Sequence, residues 1–264
     1  MGVLDSKVII VTGAARGLGR AMATALIAAG ARVVGVDLPG ESELDGVARE
    51  LGPRFYPLAA DVRSEDECNR AVSHALKHAG GLHVLINDAG VGLQNINRHF
   101  HSNPTPFWKL SPAQWREVIE TNTTTQFLMA RACVPHLVKQ GWGRIVNVTT
   151  SFVTMQLKGF CPYGPSKAAA EAATVIMARD LEATGVTANV LVPGGAADTR
   201  MISDDIAWPD RSVLIQPRKM MAPAVWLASD ESDGVTGQRF IGNLWNESLA
   251  PAAAAVLASA PAGW

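Results

Sequence analysis

The chain alternates short, continuously apolar runs with longer stretches of mixed polarity. "KVIIVTG" (7–13), "ARVVGVDL" (31–38), "RFYPLAADV" (54–62), "LHVLINDAG" (82–90), the run at 143–149 and "VTANVLVPG" (186–194) place hydrophobic residues at successive positions rather than at every second one. Uninterrupted runs suit strands buried on both faces, as in a parallel sheet covered by helices on two sides. Between them, helices are predicted at about 17–29, 41–51, 65–79, 112–138 and 163–184. This alternation predicts one doubly wound α/β domain over residues 1–247. Ligands of such sheets bind beyond the carboxyl ends of the strands, so the residues that follow each strand are the ones to search for chemistry.

Two segments break the rhythm. Residues 91–111, "VGLQNINRHFHSNPTPFWKLS", form a loop long enough to be functional in its own right. Residues 248–264, "SLAPAAAAVLASAPAGW", read as an Ala/Pro-rich tail forming a short terminal helix or fraying. Its apolar Val256, Leu257 and Trp264 leave docking on a neighbouring subunit as the alternative.

Composition narrows the function classes. The 264 residues are 48% hydrophobic and carry 23 basic against 24 acidic side chains, a net charge of -1. Neither nucleic acid nor an anionic membrane surface is expected as a partner on that balance. No run of ~18 apolar residues occurs, so no spanning helix is expected. Cys68, Cys133 and Cys161 are scattered without metal spacing, as reduced thiols of a cytoplasmic protein would be. "MGVLDS" matches the loose pattern of an N-myristoyl glycine, which is short enough to recur by accident.

The first strand runs directly into "TGAARGLGR", with Gly13, Gly17 and Gly19 between a strand and a helix. Glycines let a backbone approach a pyrophosphate, and the helix N-terminus offers it free N–H donors. Asp37 ends the second strand, where a carboxylate accepts from both adenosine ribose hydroxyls and repels a 2′-phosphate. NAD is therefore expected over NADP, although Arg16 could lean toward a phosphate. Asp61 and Val62 end the third strand and could flank an adenine; Asp61 could instead cap the helix starting near Ser64.

"YGPSK" places Tyr163 and Lys167 four apart on one helix face, and Pro165 fixes the helix start at the tyrosine. A nearby ammonium favours the phenolate, which makes the pair a candidate general acid/base. On spacing alone, a surface Tyr and Lys on a helix would be the better reading.

Taken together, "TGAARGLG", "NDAG" (87–90), Asn122 in "ETN", the hydroxyl cluster ending "RIVNVTTSF" (144–152), "YGPSK" and "PGG" (193–195) resemble the short-chain dehydrogenase/reductase family in order and spacing, over about residues 5–242. The resemblance implies a Rossmann fold with seven parallel strands, a nicotinamide cofactor and a homotetramer or homodimer built on the helices near 112–138 and 163–184. It makes Tyr163 the proton donor or acceptor, Lys167 its electrostatic partner and ribose ligand, and Asn122 the holder of a relay water. Thr12, Gly13, Arg16, Gly17, Leu18, Gly19, Asp37, Asp61, Val62, Asn87, Ala89, Gly90, Pro193, Gly194 and Thr199 become cofactor contacts. The family's substrate-bonding serine falls on Thr150 by counting 13 back from Tyr163, with Ser151 beside it and Thr149 facing away.

Departures from the family concentrate in the substrate half. "NDAG" replaces the usual "NNAG", the 91–111 loop is long, the lid from 200 to about 218 is short, and "IGNLWN" replaces the usual strand end. Phe100, Phe107, Trp108, Phe152, Met155 and Phe160 are expected near the pocket mouth, with Phe160 and Ser151 as substrate contacts. His99 and His101 lack further ligands for a metal, and none is expected. The leading reading is an NAD-dependent enzyme interconverting a small-molecule secondary alcohol and a ketone. The alternatives are NADPH-dependent reduction of a carrier-bound 3-oxoacyl group, and a non-catalytic dinucleotide-binding protein.

Overall fold

The computed structural model describes residues 2–40, 42–202 and 210–263. The elements follow the alternation in the sequence: β1 (Val8–Thr12), α1 (Gly17–Ala28), β2 (Arg32–Asp37), α2 (Ser42–Leu51), β3 (Phe55–Ala59), α3 (Glu65–His74) and β4 (Val84–Asn87). Next come α4 (Pro112–Ile119), α5 (Thr125–Gln140), β5 (Gly143–Val148), a single-turn α6 (Phe152–Met155), α7 (Tyr163–Asp180) and β6 (Val186–Val192). The chain closes with α8 (Met221–Leu227), β7 (Gln238–Ile241), α9 (Pro251–Ala258) and β8 (Ser259–Pro261).

The strands form one sheet in the order β3-β2-β1-β4-β5-β6-β7-β8. All neighbours are parallel except β8, which runs antiparallel to β7. The order reverses between β1 and β4, so the first-half and second-half crossovers lie on opposite faces and leave a crevice where they part. β1, β4, β5 and β6 are buried along their whole length, the physical reason their sequences do not alternate. One apolar layer joins α1, α8 and α9 to one side of the sheet, and the other joins α3 and α5 to the opposite side.

The sheet has eight strands where seven were expected. The eighth comes from the tail: Pro251 opens α9, Ala254, Ala255 and Ala258 pack into the core, and β8 then pairs with β7. Val256 and Leu257 face outward, 73% and 64% exposed, and Trp264 lies outside the described residues. The predicted helix at 112–138 is two α-segments joined by a π-turn at Glu120–Thr124, and α7 stops at Asp180, short of the predicted 184. Ser111 starts α4 with a reciprocal capping box to Gln114. Among the described residues no helix is long and apolar enough to cross a membrane.

Candidate active site

A cavity of ≈ 880 Å³ opens along the carboxyl ends of the strands, over the crevice between β1 and β4. One end is the glycine cradle. Gly13 takes φ +71°, and a Cβ there would stand 3.0 Å from the Ala89 backbone. At Gly19 a Cβ would stand 2.2 Å from the Gly13 carbonyl oxygen, so α1 can approach β1 only without a side chain. The N-cap residue Arg16 makes no side-chain bond to α1, and the helix start at Gly17 and Leu18 lies on the cavity wall with its dipole toward the cavity. A space closed to any Cβ, beside a helix start, fits a dinucleotide pyrophosphate.

Asp37 lies on the wall where β2 ends. Its carboxylate accepts from Ala15 N at 2.8 Å and Leu38 N at 2.9 Å, which fixes its orientation. Arg16, Gly17, Leu18, Val62, Ala89, Gly90, Pro193 and Thr199 also line the cavity. So does Asp61, but it caps no helix: Ser64 caps α3, and Asp61 is gripped by Arg63 through bonds of 2.6–3.0 Å. That pairing holds the Asp61 carboxyl below its ordinary pKa.

The side chains of Thr12 and Asn87, expected as cofactor contacts, have partners inside the protein. The Thr12 hydroxyl accepts from Asp88 N and Ala89 N, both at 3.1 Å, and ties β4 to β1. Asn87 donates to Asn147 Oδ1 at 2.9 Å and to the Gln126 carbonyl at 3.3 Å, deep between β4 and β5. Gly194, at φ +95°, would meet Ile241 with a Cβ, so it serves the crossing of β6 and β7. None of these three residues is on the cavity wall.

The reactive end gathers Thr150, Tyr163 and Lys167. The Thr150 hydroxyl hydrogen-bonds the Tyr163 phenol, and Lys167 Nζ lies 6.0 Å from the tyrosine ring centre. Lys167 Nζ donates to the Val148 carbonyl at 3.0 Å. Burial pushes the Tyr163 pKa up to about 12; the Thr150 bond pulls it down and the Asp88 carboxylate pushes it up. Burial pulls Lys167 down, and Asp88 opposes this. At neutral pH the phenol therefore holds its proton and can donate it.

Asn122 sits in the π-turn, but its amide is already committed. Its Oδ1 accepts from Val91 N at 2.7 Å; its Nδ2 donates to the Val91 carbonyl at 2.9 Å and to Ser166 Oγ at 3.0 Å. A relay water held at this residue would have to use its main-chain carbonyl, in a segment the π-turn takes off the regular helical ladder.

The three hydroxyls after β5 have three different partners. Thr149 Oγ1 donates to Glu171 at 2.9 Å, away from the phenol; Thr150 faces Tyr163; and Ser151 caps α6, accepting from Thr154 N at 3.1 Å. Ser151, expected as a substrate contact, is thus used for the turn and is not on the cavity wall. Phe160 and Phe100 are on the wall, their rings 6.0 Å apart edge to face, with His101 stacked on Phe100 at 4.1 Å. Phe107 and Trp108 instead pair with each other at the surface, and Phe152 packs under Arg239. Among the described residues no cluster of three or more His, Cys, Asp or Glu could hold a metal.

Asp88 accepts the Gly19 backbone N–H, so an acceptor is all this position needs and Asp serves as Asn would. Burial pushes the Asp88 carboxyl up to about 7, so on the alkaline side it adds a charge, and that charge raises the pKa of both Tyr163 and Lys167. Carbonyl reduction requires the phenol proton and the ammonium, which are present below their pKa values and lost as pH rises. Asp88→Asn lowers both values, so the alkaline limb of the kcat/KM profile should move to lower pH. An unmoved limb, or one displaced upward, would contradict this account.

Residues missed in the sequence include Glu171, Arg239 and Gln126. Glu171 had a signal: it continues the Tyr163, Lys167 four-residue spacing along α7 in an otherwise small and apolar stretch. Arg239, a lone cation inside a short strand, was the other.

A glycine cradle, a carboxylate at the end of β2 and a buried Tyr–Lys pair beside a hydroxyl, all in one cleft of a doubly wound sheet, fit a nicotinamide-dependent oxidoreductase acting on CH–OH or C=O groups. The family model "short chain dehydrogenase" matches residues 7–210, and the chain belongs to that family. It is 29% identical over 242 residues to the 3-oxoacyl-[acyl-carrier-protein] reductase FabG of Vibrio cholerae, covering 89% of this chain and 95% of that one. It is 30% identical over 249 residues to a 3-oxoacyl-[acyl-carrier-protein] reductase of Synechocystis, covering 91% and 96%. Among solved structures, the 3-ketoacyl-(acyl-carrier-protein) reductase of Brucella melitensis complexed with NADH superposes with a TM-score of 0.77 at 26% identity, covering 88% of this chain and 95% of that one. A dehydrogenase/reductase of Sinorhizobium meliloti gives 0.76 at 28% identity, covering 88% and 92%.

Proposed function

We propose that this chain is an NAD(H)-dependent reductase of ketones, reversible toward the secondary alcohol, with Tyr163 as the general acid/base. The observation that carries it is the Tyr163 phenol on the cavity wall with Thr150 and with Lys167 Nζ 6.0 Å from its ring centre. The nicotinamide, when bound, supplies or receives the hydride. Thr150 and Tyr163 hold the carbonyl oxygen between two hydroxyl donors, and Tyr163 gives that oxygen its proton. Lys167 stabilises the phenolate left behind and offers its ammonium to ribose hydroxyls. Apolar Leu93, Phe100, Leu157 and Phe160 line the substrate end and favour a substrate with a hydrophobic body.

Support for NAD over NADP comes from charge. Asp37 presents a carboxylate where a 2′-phosphate would sit. The three arginines on the wall all face carboxylates: Arg16 and Arg200 pair with Glu43, and Arg63 pairs with Asp61. NADH should bind about tenfold or more tighter than NADPH, a difference that like-charge juxtaposition readily supplies. Fluorescence titration with each cofactor tests this; a clear NADPH preference would overturn the reading of Asp37.

A second substrate reading, a 3-oxoacyl thioester on a carrier protein, is favoured by the likeness to 3-oxoacyl-[acyl-carrier-protein] reductases. Turnover of a 3-oxoacyl thioester against simple ketones of equal chain length separates the two. Self-association into a homodimer or homotetramer is part of the proposal, supported by the exposed Trp115, Phe127 and Ile176 on α4, α5 and α7.

A further inference from the structure

Tyr163, Lys167 and Glu171 follow one another at four-residue steps along one face of α7. The first two meet the cavity, whereas the third is wholly buried. Its carboxylate receives four donors: Arg239 Nε at 2.8 Å, Arg239 Nη2 at 2.6 Å, Thr149 Oγ1 at 2.9 Å and Gly263 N at 3.3 Å. Arg239 is 3% exposed, and its guanidinium also stacks 4.0 Å from the Phe152 ring. The same Nη2 donates to the Thr150 carbonyl at 2.7 Å.

That last bond matters because of where the sheet stops. The β5–β6 ladder ends at Val148, with one further bond from Thr149 N to the Leu191 carbonyl. Beyond this point side chains take over. Val148 O is held by Lys167 Nζ and by Gln126 Nε2 at 3.0 and 3.1 Å, the Thr149 hydroxyl by Glu171, and Thr150 O by Arg239. A buried ion pair is a costly way to fill a core, since well-packed apolar residues of similar volume are often as stable or more so. What apolar residues could not do is hold the Thr150 peptide plane, and with it the direction of the Thr150 side chain.

We propose that Arg239 and Glu171 are a positioning pair for the active site: they lock the end of β5 so that the Thr150 hydroxyl stays on the Tyr163 phenol. The pair touches no reacting atom. The inference rests on the reading that Thr150 bonds the substrate oxygen.

The test is a mutant cycle on the full chain, read with NADH and a ketone the wild type reduces. Glu171→Met/Arg239→Met replaces both charges with apolar side chains of similar volume, so no lone charge is left buried. This variant should fold with a melting temperature near that of the wild type and keep its Kd for NADH. Its kcat should fall about tenfold to a hundredfold with KM little changed, the cost of a slightly misplaced group. Arg239→Lys, which keeps the charge and a donor for the Thr150 carbonyl, should recover part of the loss. It also carries the test if the double variant does not fold, by showing a kcat below wild type at unchanged NADH affinity. In a Thr150→Ala background the pair's removal should cost nothing further, because its effect passes through that residue. Wild-type kcat in the double variant, or losses that multiply with Thr150→Ala, would refute the pair's role while leaving Thr150 in place. Full activity of Thr150→Ala alone would remove Thr150 from the site and this inference with it.

Discussion

Tyr163→Phe is expected to lower kcat for ketone reduction by about 10³-fold, inside the usual span for a lost general acid. The ring is kept, so packing in the first turn of α7 is unchanged; what leaves is the proton and the bond to Thr150. Because the lost interaction belongs to the transition state, kcat and kcat/KM should fall together while the Kd for NADH stays within about twofold. Stopped-flow or steady-state NADH oxidation measures the first, and fluorescence titration the second. A Phe variant with wild-type turnover would remove Tyr163 from the mechanism.

Thr150→Ala should cost about 10²-fold in kcat, the scale of one donor removed from a developing oxyanion. Ser151→Ala should leave turnover within about twofold, because its hydroxyl is used to cap a four-residue turn. Loss of that cap costs on the order of 1 kcal/mol of local stability and should show as a small fall in melting temperature. The two variants measured side by side discriminate adjacent hydroxyls that a spacing argument separates by a single residue. Collapse of activity in the serine variant alone would place the substrate oxygen one residue further along than the geometry does.

Much of this was legible in the chain because backbone constraints write themselves into sequence. Fully buried parallel strands left uninterrupted apolar runs, and the cradle glycines marked the places where a Cβ would strike backbone. Pro165 pinned the start of α7 at Tyr163. The direction of each hydroxyl after β5 was less visible. The count of 13 residues back from Tyr163 pointed to Thr150, but nothing local says that Ser151 turns back to Thr154. Asn87 and Thr12 show the same limit: residue type and position suggested cofactor contact, while packing between neighbouring strands claimed both side chains. The pairing of Arg239 with Glu171 was illegible for a deeper reason. The two lie 68 residues apart and meet only through tertiary structure, so neither shows a partner in its own stretch of chain. The tail read as a short terminal helix or a frayed end; the helix is α9, while composition did not show that its small residues let it pack closely and deliver β8 to the sheet.

Transfer of an isotope label tests the central claim most directly. The protein is mixed with NADH deuterated at C4 and a ketone that it turns over, and the product is examined by mass spectrometry and NMR. The account predicts one deuterium on the carbinol carbon, with the wild type delivering it about 10³-fold faster than Tyr163→Phe. Tight NADH binding with no label transferred to any of a broad ketone panel, or transfer at equal rates by both proteins, would contradict it.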